Sequence, residues 1–280
     1  MSRTRFLPLK GKLSALVIGA LLAFSVLAPV VYPVNPHKVD LDRLREPPAI
    51  FTGHFASGHP LGTDQEGRDI LARLLEGAKI SISVSFLAAF LAMAVGVAVG
   101  LVSGYAGGRT DAALMALCDL ILAFPSLLLA IGVSVVLPPG ILTVMLAMAS
   151  VGWASFARLI RGHVLAVKGS QFVDAARAVG ASAPRILRAH ILPQCVPLAL
   201  TFMAVQLGGY IITEASLSFL GLGAQPPVAT WGSMISQGMD YIYCAPWIAV
   251  MPGLFIALAA FCFNMLGDAL NDSMGMRLPR

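Results

Sequence analysis

Long stretches without acidic or basic side chains occupy most of this sequence. They cover residues 13–36, 80–108, 112–157 with the single interruption Asp119, 189–213, 215–239 and 241–267. A helix needs about 20 apolar residues to cross the hydrocarbon core of a bilayer. The stretch 112–157 is therefore long enough for two crossings, with a turn at Leu137-Pro138-Pro139-Gly140 between them.

The stretch 215–239 lacks charge without being apolar. It reads ASLSFLGLGAQPPVATWGSMISQGM, with Pro226-Pro227 near its centre. An exposed Pro-Pro break in lipid would leave backbone groups without hydrogen bonds. We expect this stretch to be a structured loop at the membrane surface, and the pattern as a whole predicts an all-α integral membrane protein with six transmembrane helices.

The composition excludes other classes of protein. Hydrophobic residues make up 58% of the 280 residues, charged residues 12%, and the mean hydropathy is +0.82. A soluble domain typically carries about 25% charged residues, so a soluble globule and a disordered chain are excluded. Four cysteines exclude a disulfide scaffold. The net charge of +5 is not concentrated in one patch, which argues against a nucleic-acid partner.

The distribution of Lys and Arg predicts the orientation of the helices. One side collects 13 of them, in the tail 1–12, at Arg109, in the segment 158–188 and in the C-terminus 271–280; the other side has six, all within the loop 37–79. By the positive-inside rule both termini are cytoplasmic and the loop is extracytoplasmic. The first span, 13–36, has an alternative interpretation as a signal peptide cleaved near Ala28. Its apolar run is longer than a usual signal core, and we favour an uncleaved span.

Small residues recur at every fourth position of the second span. They are Ala88, Ala92, Gly96, Gly100, Gly104 and Gly108. A stripe without large side chains lets a neighbouring helix backbone approach closely. We predict tight packing at Ala92, Gly96, Gly100 and Gly104, within the subunit or across a dimer seam. The alternative is that membrane helices are simply rich in Gly and Ala.

Asp119 is the only acidic or basic residue within the six predicted spans. Its charge would cost about 2.5–3.5 kcal/mol at the centre of a bilayer. Two interpretations follow from this cost. Asp119 lines a translocation path, or it is a partly hydrated carboxylate bonded to a neighbouring helix.

Motifs of catalysis and metal binding are absent from the sequence. There is no G-x-x-x-x-G-K-[ST] loop, no H-E-x-x-H and no G-x-S-x-G. His37, His54 and His59 share the outer loop, but their spacing matches no metal-site pattern. We expect no catalytic residue, no metal site and no cofactor on this chain.

The segment 158–193 is the most basic of the predicted inner segments, with one acidic residue, Asp174. Helical spacing places Phe172, Ala175, Ala176 and Val179 on one apolar face, with Asp174 and Arg177 off it. Gly180 can end this helix, and Ser182 with Pro184 can start the next. The face would either dock into a groove on another protein or rest at the membrane surface as a connector.

Several motifs resemble one family. Asp174-Ala175-Ala176, Gly180 and Ile191-Leu192-Pro193 resemble the EAA loop of ABC importer permeases, with Asp in place of the usual Glu. His190 stands where the general motif has Ile, and this form is similar to the dipeptide, oligopeptide and nickel branch. Further segments resemble the same branch: His59 to Asp64, Gly67-Arg68-Asp69, Arg73-Leu74, Glu214 to Gly223, Pro226-Pro227, Trp231-Gly232 and Gly267 to Leu270.

The resemblance implies a type I ABC importer transmembrane fold over 80–270 and a place in the bacterial inner membrane. The implied partners are a homologous second permease, two cytoplasmic ATPases that hold ATP and Mg²⁺, and an extracytoplasmic binding protein. The loop 214–240 would meet the binding protein or close the pore mouth. The implied contacts with the ATPase are Phe172, Asp174, Ala175, Ala176, Arg177, Val179, Gly180, Ile191, Leu192 and Pro193; candidates for a path or gate are Asp119, Glu214, Ser216 and Ser218.

The predicted function is therefore that of a permease subunit, forming half of the pore of an ATP-driven importer of di- or oligopeptides. The first alternative is an importer of nickel or a metal chelator from the same branch. A stand-alone channel or secondary transporter is the alternative from a different class, and only the resemblance argues strongly against it.

Overall fold

The computed structural model describes residues 8–52 and 58–274 and is helical throughout its membrane-spanning part. Nine helices longer than one turn follow one another in the described ranges, counting Ala183–Phe219 as one: α1 Leu9–Val31, α2 Ile70–Ala106, α3 Gly108–Leu122, α4 Ser126–Val136, α5 Ile141–Val167, α6 Gln171–Ala178, α7 Ala183–Phe219, α8 Trp231–Met239 and α9 Trp247–Met274. Residues 187–191 form a π-helical segment inside α7. The loop after α1 also contains a 3₁₀ turn, Leu41–Arg43, and a single helical turn, Ala49–Thr52.

The described part of the chain contains five helices that could cross a membrane, and six crossings if one bent pair of helices counts as a single span. Helices α1, α2, α5, α7 and α9 are each long and apolar enough to span a bilayer. The bent pair is α3 and α4, which together are long and apolar enough for the sixth predicted crossing and meet at an angle of 91° at a break over residues 123–125. Pro125 explains the break, because its ring and its missing N–H prevent a helix from continuing.

The helix bounds differ from those predicted by the charge pattern. The first helix spans 9–31 rather than 13–36, α2 begins at Ile70 rather than 80, and α5 continues to Val167 rather than 157. Helices α2 and α5 extend past the apolar stretches because charged residues in the added turns have partners. Arg73 in α2 is paired with Asp64 at 3.4 Å, and Arg161 in α5 with Asp111 at 2.6 Å.

The stretch 215–239 does not form a span of its own, although its first five residues, 215–219, belong to the spanning helix α7. Helix α7 continues to Phe219, a turn follows, and α8 begins at Trp231 with a capping box between Thr230 and Ser233. Glu214 therefore lies inside a helix, although the charge pattern placed it in the loop 214–240. The same correction applies at the other end of α7, where residues 183–188 are already helical.

The predicted small-residue stripe of α2 packs closely against α5. Gly100 of α2 lies against α5, where an added Cβ would come within 2.6 Å of the Ala157 carbonyl oxygen and 2.8 Å of the Ile160 Cβ. Ala92 is fully buried, Gly96 abuts Trp153 and Phe156, and Gly104 abuts Val164. This contact, called the glycine seam below, therefore joins two helices of the same chain.

The two ends of the bundle carry different structures. At the loop end, the described residues 32–52 and 58–69, called the long loop below, contact α8 and the start of α9. At the opposite end, residues 168–182 join α5 to α7 and contain α6. We call this segment the elbow, and this side of the bundle the elbow end. Lys10 of α1 and Asp272 of α9 form an ion pair of 2.9 Å, so the start of α1 and the end of α9 lie side by side.

Candidate functional site

The elbow is a short helix followed by a sharp turn, as the sequence predicts. Helix α6 ends at Ala178, and Gly180, two residues later, has a φ of +83°, a conformation that glycine adopts without strain. The Gly180 amide donates to the carbonyl of Arg177 at 2.9 Å, and the Ala181 amide to that of Ala176 at 3.0 Å. Ser182 and Pro184 stand at the start of α7, which enters the membrane region directly.

One face of α6 is held by the bundle and the other is open. Val173 is fully buried, and Ala176 packs beside it against the core. Phe172 and Val179 are 41% and 89% exposed. Ala176 therefore faces inward, in contrast to the predicted apolar face, because the bundle takes the side of the helix that carries Val173.

The remaining predicted docking residues fall into two groups. Exposed residues of the elbow are Asp174, Ala175, Arg177 and Gly180. In contrast, Ile191 is fully buried and Leu192 half-buried, while Pro193 is exposed. The first group is available to a partner chain, whereas Ile191 and Leu192 anchor the start of α7 in the bundle.

Polar contacts tie the elbow to the end of α2, and a neighbouring ion pair joins α3 to α5. Lys168 Nζ donates to the Gly104 carbonyl at 3.0 Å, and the Arg177 guanidinium lies 5.7 Å from the centre of the Tyr105 ring. Nearby, Arg161 donates through Nε and Nη2 to the two oxygens of Asp111 at 2.6 Å each. A bidentate Arg–carboxylate pair fixes geometry as well as charge. The elbow is thus attached to α2, beside the point where α3 and α5 are joined.

At the loop end, α8 is wedged into the bundle by Trp231. This side chain is fully buried, and its Nε1 donates to the Leu74 carbonyl of α2 at 3.0 Å. Gly77 leaves the space beside it, because an added Cβ there would lie 2.9 Å from Trp231 Cδ1. Gly232 allows a similar approach to Ala215 of α7. The turn between α7 and α8 is therefore packed onto the helices.

A buried ion network holds the long loop against α2 and α8. The Asp64 carboxylate lies 2.7 Å from Arg68 Nε and 3.4 Å from Arg73 Nε, and all three side chains are almost fully buried. Both arginines also reach Gln237 of α8 at 3.4 Å. The segment 59–74, which carries one of the family-like motifs, is therefore a folded part of the bundle surface.

The histidines of the long loop have separate acidic partners. His37 lies 3.2 Å from Glu76, and His59 lies 2.7 Å from Asp69. Tyr32 donates to the same Asp69 at 2.9 Å, and burial together with this carboxylate raises the pKa of its phenol. Tyr32 therefore stays a neutral donor. His54 lies outside the described residues.

The four candidates for a path or gate are not brought to one place. Glu214 is buried and accepts a hydrogen bond from Ser218 at 2.7 Å, beneath the loop end. Ser216 donates instead to the Ile212 carbonyl of its own helix at 2.8 Å. Asp119 lies in α3 and is paired with Arg158 of α5. A bond to a neighbouring helix, one of the two interpretations of Asp119, is present.

A cleft of about 690 Å³ opens beside the α3–α4 break. Its walls come from both sides of the break and from α5, α7 and α9. Its polar lining residues are Ser126, Ser155, Gln206, Tyr210, Thr213 and Asn264. The Tyr210 hydroxyl, next to Gly152, has no hydrogen-bond partner among the described residues. The cleft therefore offers uncharged donors and acceptors to whatever enters it.

Residues 96–276 match the sequence profile of the family described as binding-protein-dependent transport system inner membrane component. The chain belongs to this family. It is a multi-span inner-membrane protein of bacterial type and a permease component rather than a catalytic subunit, so family membership favours the permease over a stand-alone channel.

Permease proteins of similar sequence align with nearly the whole length of this chain. The glutathione transport system permease protein GsiD of Pectobacterium atrosepticum is 39% identical over 266 residues, which cover 95% of this chain and 86% of that protein. GsiD of Escherichia coli O157:H7 is 40% identical over the same extent. Both relatives support the branch that the motifs resemble.

Solved structures support the fold. Two inward-facing forms of the MetNI methionine ABC transporter align with TM-scores of 0.55 and 0.59 at 17% identity. The alignments cover 71% and 73% of this chain and 96% and 97% of those chains. The type I importer fold is therefore confirmed.

Sequence reasoning missed three residues of the cleft region. Arg158 was assigned to a loop, although it lies in α5 opposite Asp119. Tyr210 and Asn264 also line the cleft, although the charge pattern places them only in apolar stretches. Polar side chains in a span tend to face the bundle interior or a water-filled cavity, and this signal could have found the last two.

Proposed function

We propose that this chain forms half of the translocation pore of an ATP-driven importer of short peptides, glutathione among them. The observation that carries the proposal is the elbow. It presents exposed apolar residues outside the membrane region while its other face is packed into the bundle. An exposed apolar surface on a firmly attached helix is suited to docking on a second protein.

The substrate class is supported by the cleft and by the relatives. The cleft is lined by hydroxyl, amide and apolar groups, which suit the amide backbone of a peptide. Glutathione is a tripeptide, and it appears in the names of relatives that are about 40% identical. Nickel and metal chelators are alternative substrates for the same branch.

The coupling mechanism follows from the short connections of the elbow. Three residues separate α5 from α6, and four separate α6 from α7. ATP binding would close two cytoplasmic ATPases, and α6 would move with the groove that holds it. Because the connections are short, α5 and α7 must follow, which switches the cleft between inward-open and outward-open forms.

The proposed complex contains four kinds of subunit. This chain pairs with a homologous second permease, and the two contact two ATPases that carry ATP and Mg²⁺. An extracytoplasmic binding protein would deliver substrate to the loop end, where the long loop and α8 form a packed surface. The cytoplasmic side is then the elbow end.

The test is uptake by cells that express or lack this chain together with its transport partners. Labelled glutathione, a dipeptide and nickel(II) are supplied separately. We expect the two peptides, but not nickel, to accumulate only when the chain is present, and to stop when ATP is depleted. Accumulation of nickel alone would overturn the peptide assignment, and uptake that survives ATP depletion would overturn the importer.

A further inference from the structure

The Asp119–Arg158 ion pair lies at one rim of the cleft. It bridges α3 and α5, and its side chains are 66% and 53% exposed, respectively. Each partner is one helical turn from a residue of the cleft wall: Leu122 follows Asp119 by three positions, and Ser155 precedes Arg158 by three. The pair is therefore continuous with the cleft.

Two observations indicate that this rim faces water. Charged side chains directed into lipid are costly, and those found in spans face a bundle interior or a water-filled cavity. The backbone also breaks at residues 123–125, immediately after the turn that carries Asp119. Irregular backbone at membrane depth is tolerated where protein covers it or where it lines an aqueous cavity.

The chemistry of the pair differs from that of the cleft. Among the described residues, the lining of the cleft contains no acidic or basic side chain. A molecule with a free ammonium and a free carboxylate would find only neutral partners there. At the rim it meets a carboxylate and a guanidinium together, and Arg is the residue best shaped to hold a carboxylate.

We propose that Asp119 and Arg158 form a transit site for the charged ends of a zwitterionic, peptide-like substrate. Arg158 takes the carboxylate and Asp119 the ammonium, and the pair re-forms when the substrate leaves. Each charge then keeps a partner throughout, so no unpaired charge opposes passage. The inference rests on the proposed function, because it concerns the substrate of the same importer.

Thiol labelling of the assembled importer in membrane vesicles tests the aqueous location. The background is Cys118→Ala with Cys244→Ser, which removes the adjacent and the exposed cysteine. Asp119→Cys and Ser155→Cys are compared with Leu120→Cys, whose parent side chain is 60% exposed on another side of α3. We expect the first two variants to react at least about tenfold faster with charged methanethiosulfonates, because a charged reagent is excluded from lipid. Equal rates in all three overturn the proposal.

The charge of the reagent tests the role of Arg158. Asp119→Cys should react about fivefold faster with the anionic ethylsulfonate than with the cationic trimethylammonium reagent, and Arg158→Gln should abolish this preference. Ser155→Cys keeps the ion pair intact and shows whether the path itself persists. A preference that survives Arg158→Gln contradicts a guanidinium facing the path.

Protection by peptides tests the substrate class. Alanyl-alanine should slow the labelling of Ser155→Cys, whereas N-acetyl-alanyl-alanine amide, which lacks both charges, should not. Equal protection by the two peptides, or none by either, refutes the zwitterion site while leaving the importer function standing. Failure of the chain to associate with an ATPase refutes the proposed function, even where labelling agrees.

Discussion

Gly96, Gly100 and Gly104 determine how closely α2 and α5 approach. At these positions the neighbouring helix occupies the volume that a side chain would need. At Gly100, backbone atoms of α5 are among the nearest neighbours, so they cannot move aside as the end of a flexible side chain can. Helices in lipid associate largely through such packing, because there is no hydrophobic gain between them.

Gly100→Ala should therefore separate α2 from α5. We expect a loss of about 1–3 kcal/mol of stability, typical of overpacked sites, seen as a lower melting temperature of the purified protein in detergent. The control is Gly162→Ala in α5, where an added Cβ meets no atom within 4 Å. That variant should be neutral or slightly stabilised, since Ala favours a helix over Gly. Equal melting temperatures for the two variants would contradict the seam.

At the scale of an element, α6 combines one buried face with one exposed face. Its eight residues are too few to form a stable helix alone. The contacts of Val173, Lys168 and Arg177 with the bundle supply the missing stability. A helix held in this way can bind a partner protein on its exposed face and remain folded when that partner moves.

Val179→Glu should weaken association with the ATPase subunits without affecting the fold. The side chain is 89% exposed, so the added charge is solvated in the free chain and becomes costly only in a docked apolar groove. We expect at least about tenfold less ATPase to copurify, while membrane insertion is unchanged. The control Val39→Glu places the same charge on a 48% exposed valine of the long loop. Similar ATPase recovery from both variants would exclude the α6 face as the docking surface.

For the whole molecule, counting the α3–α4 pair as one span gives six crossings, and an even number of crossings returns the chain to the side where it began. The Lys10–Asp272 ion pair agrees, because it joins the start of the first crossing to the end of the last. The surplus of Lys and Arg at this end predicts that it is cytoplasmic.

Reporter fusions check this orientation. Green fluorescent protein fused after Arg280 should fluoresce, and alkaline phosphatase inserted at Asp42 in the long loop should be active, because each reporter works on only one side of the membrane. Alkaline phosphatase fused after Arg280 serves as the control and should be inactive. The reverse pattern would place the elbow outside the cell and exclude docking of cytoplasmic ATPases.

The crossings and the elbow could be read from the sequence, since both depend on local patterns. Apolar stretches gave six spans, and Gly180 with Pro184 gave the turn between α6 and α7. Ion pairs between residues distant in sequence could not be predicted. The charge of Arg73 placed the start of α2 in a predicted loop. In the folded chain, Asp64 pairs with Arg73, so the charged residue can lie in a buried helix. Arg158 lies 39 positions from Asp119, and no spacing rule joins them.

The glycine seam also has a mechanical consequence. Helix α2 has 37 residues, about 55 Å of length. It is clamped to α5 along the seam, with the elbow at one end and the Trp231 wedge at the other. Because this close packing leaves no room for the two helices to slide or separate, α2 and α5 move together as one rigid body. A displacement of the elbow is therefore transmitted through α2 and α5 to the opposite face of the membrane. Conformational changes on the two faces are coupled by the same pair of helices.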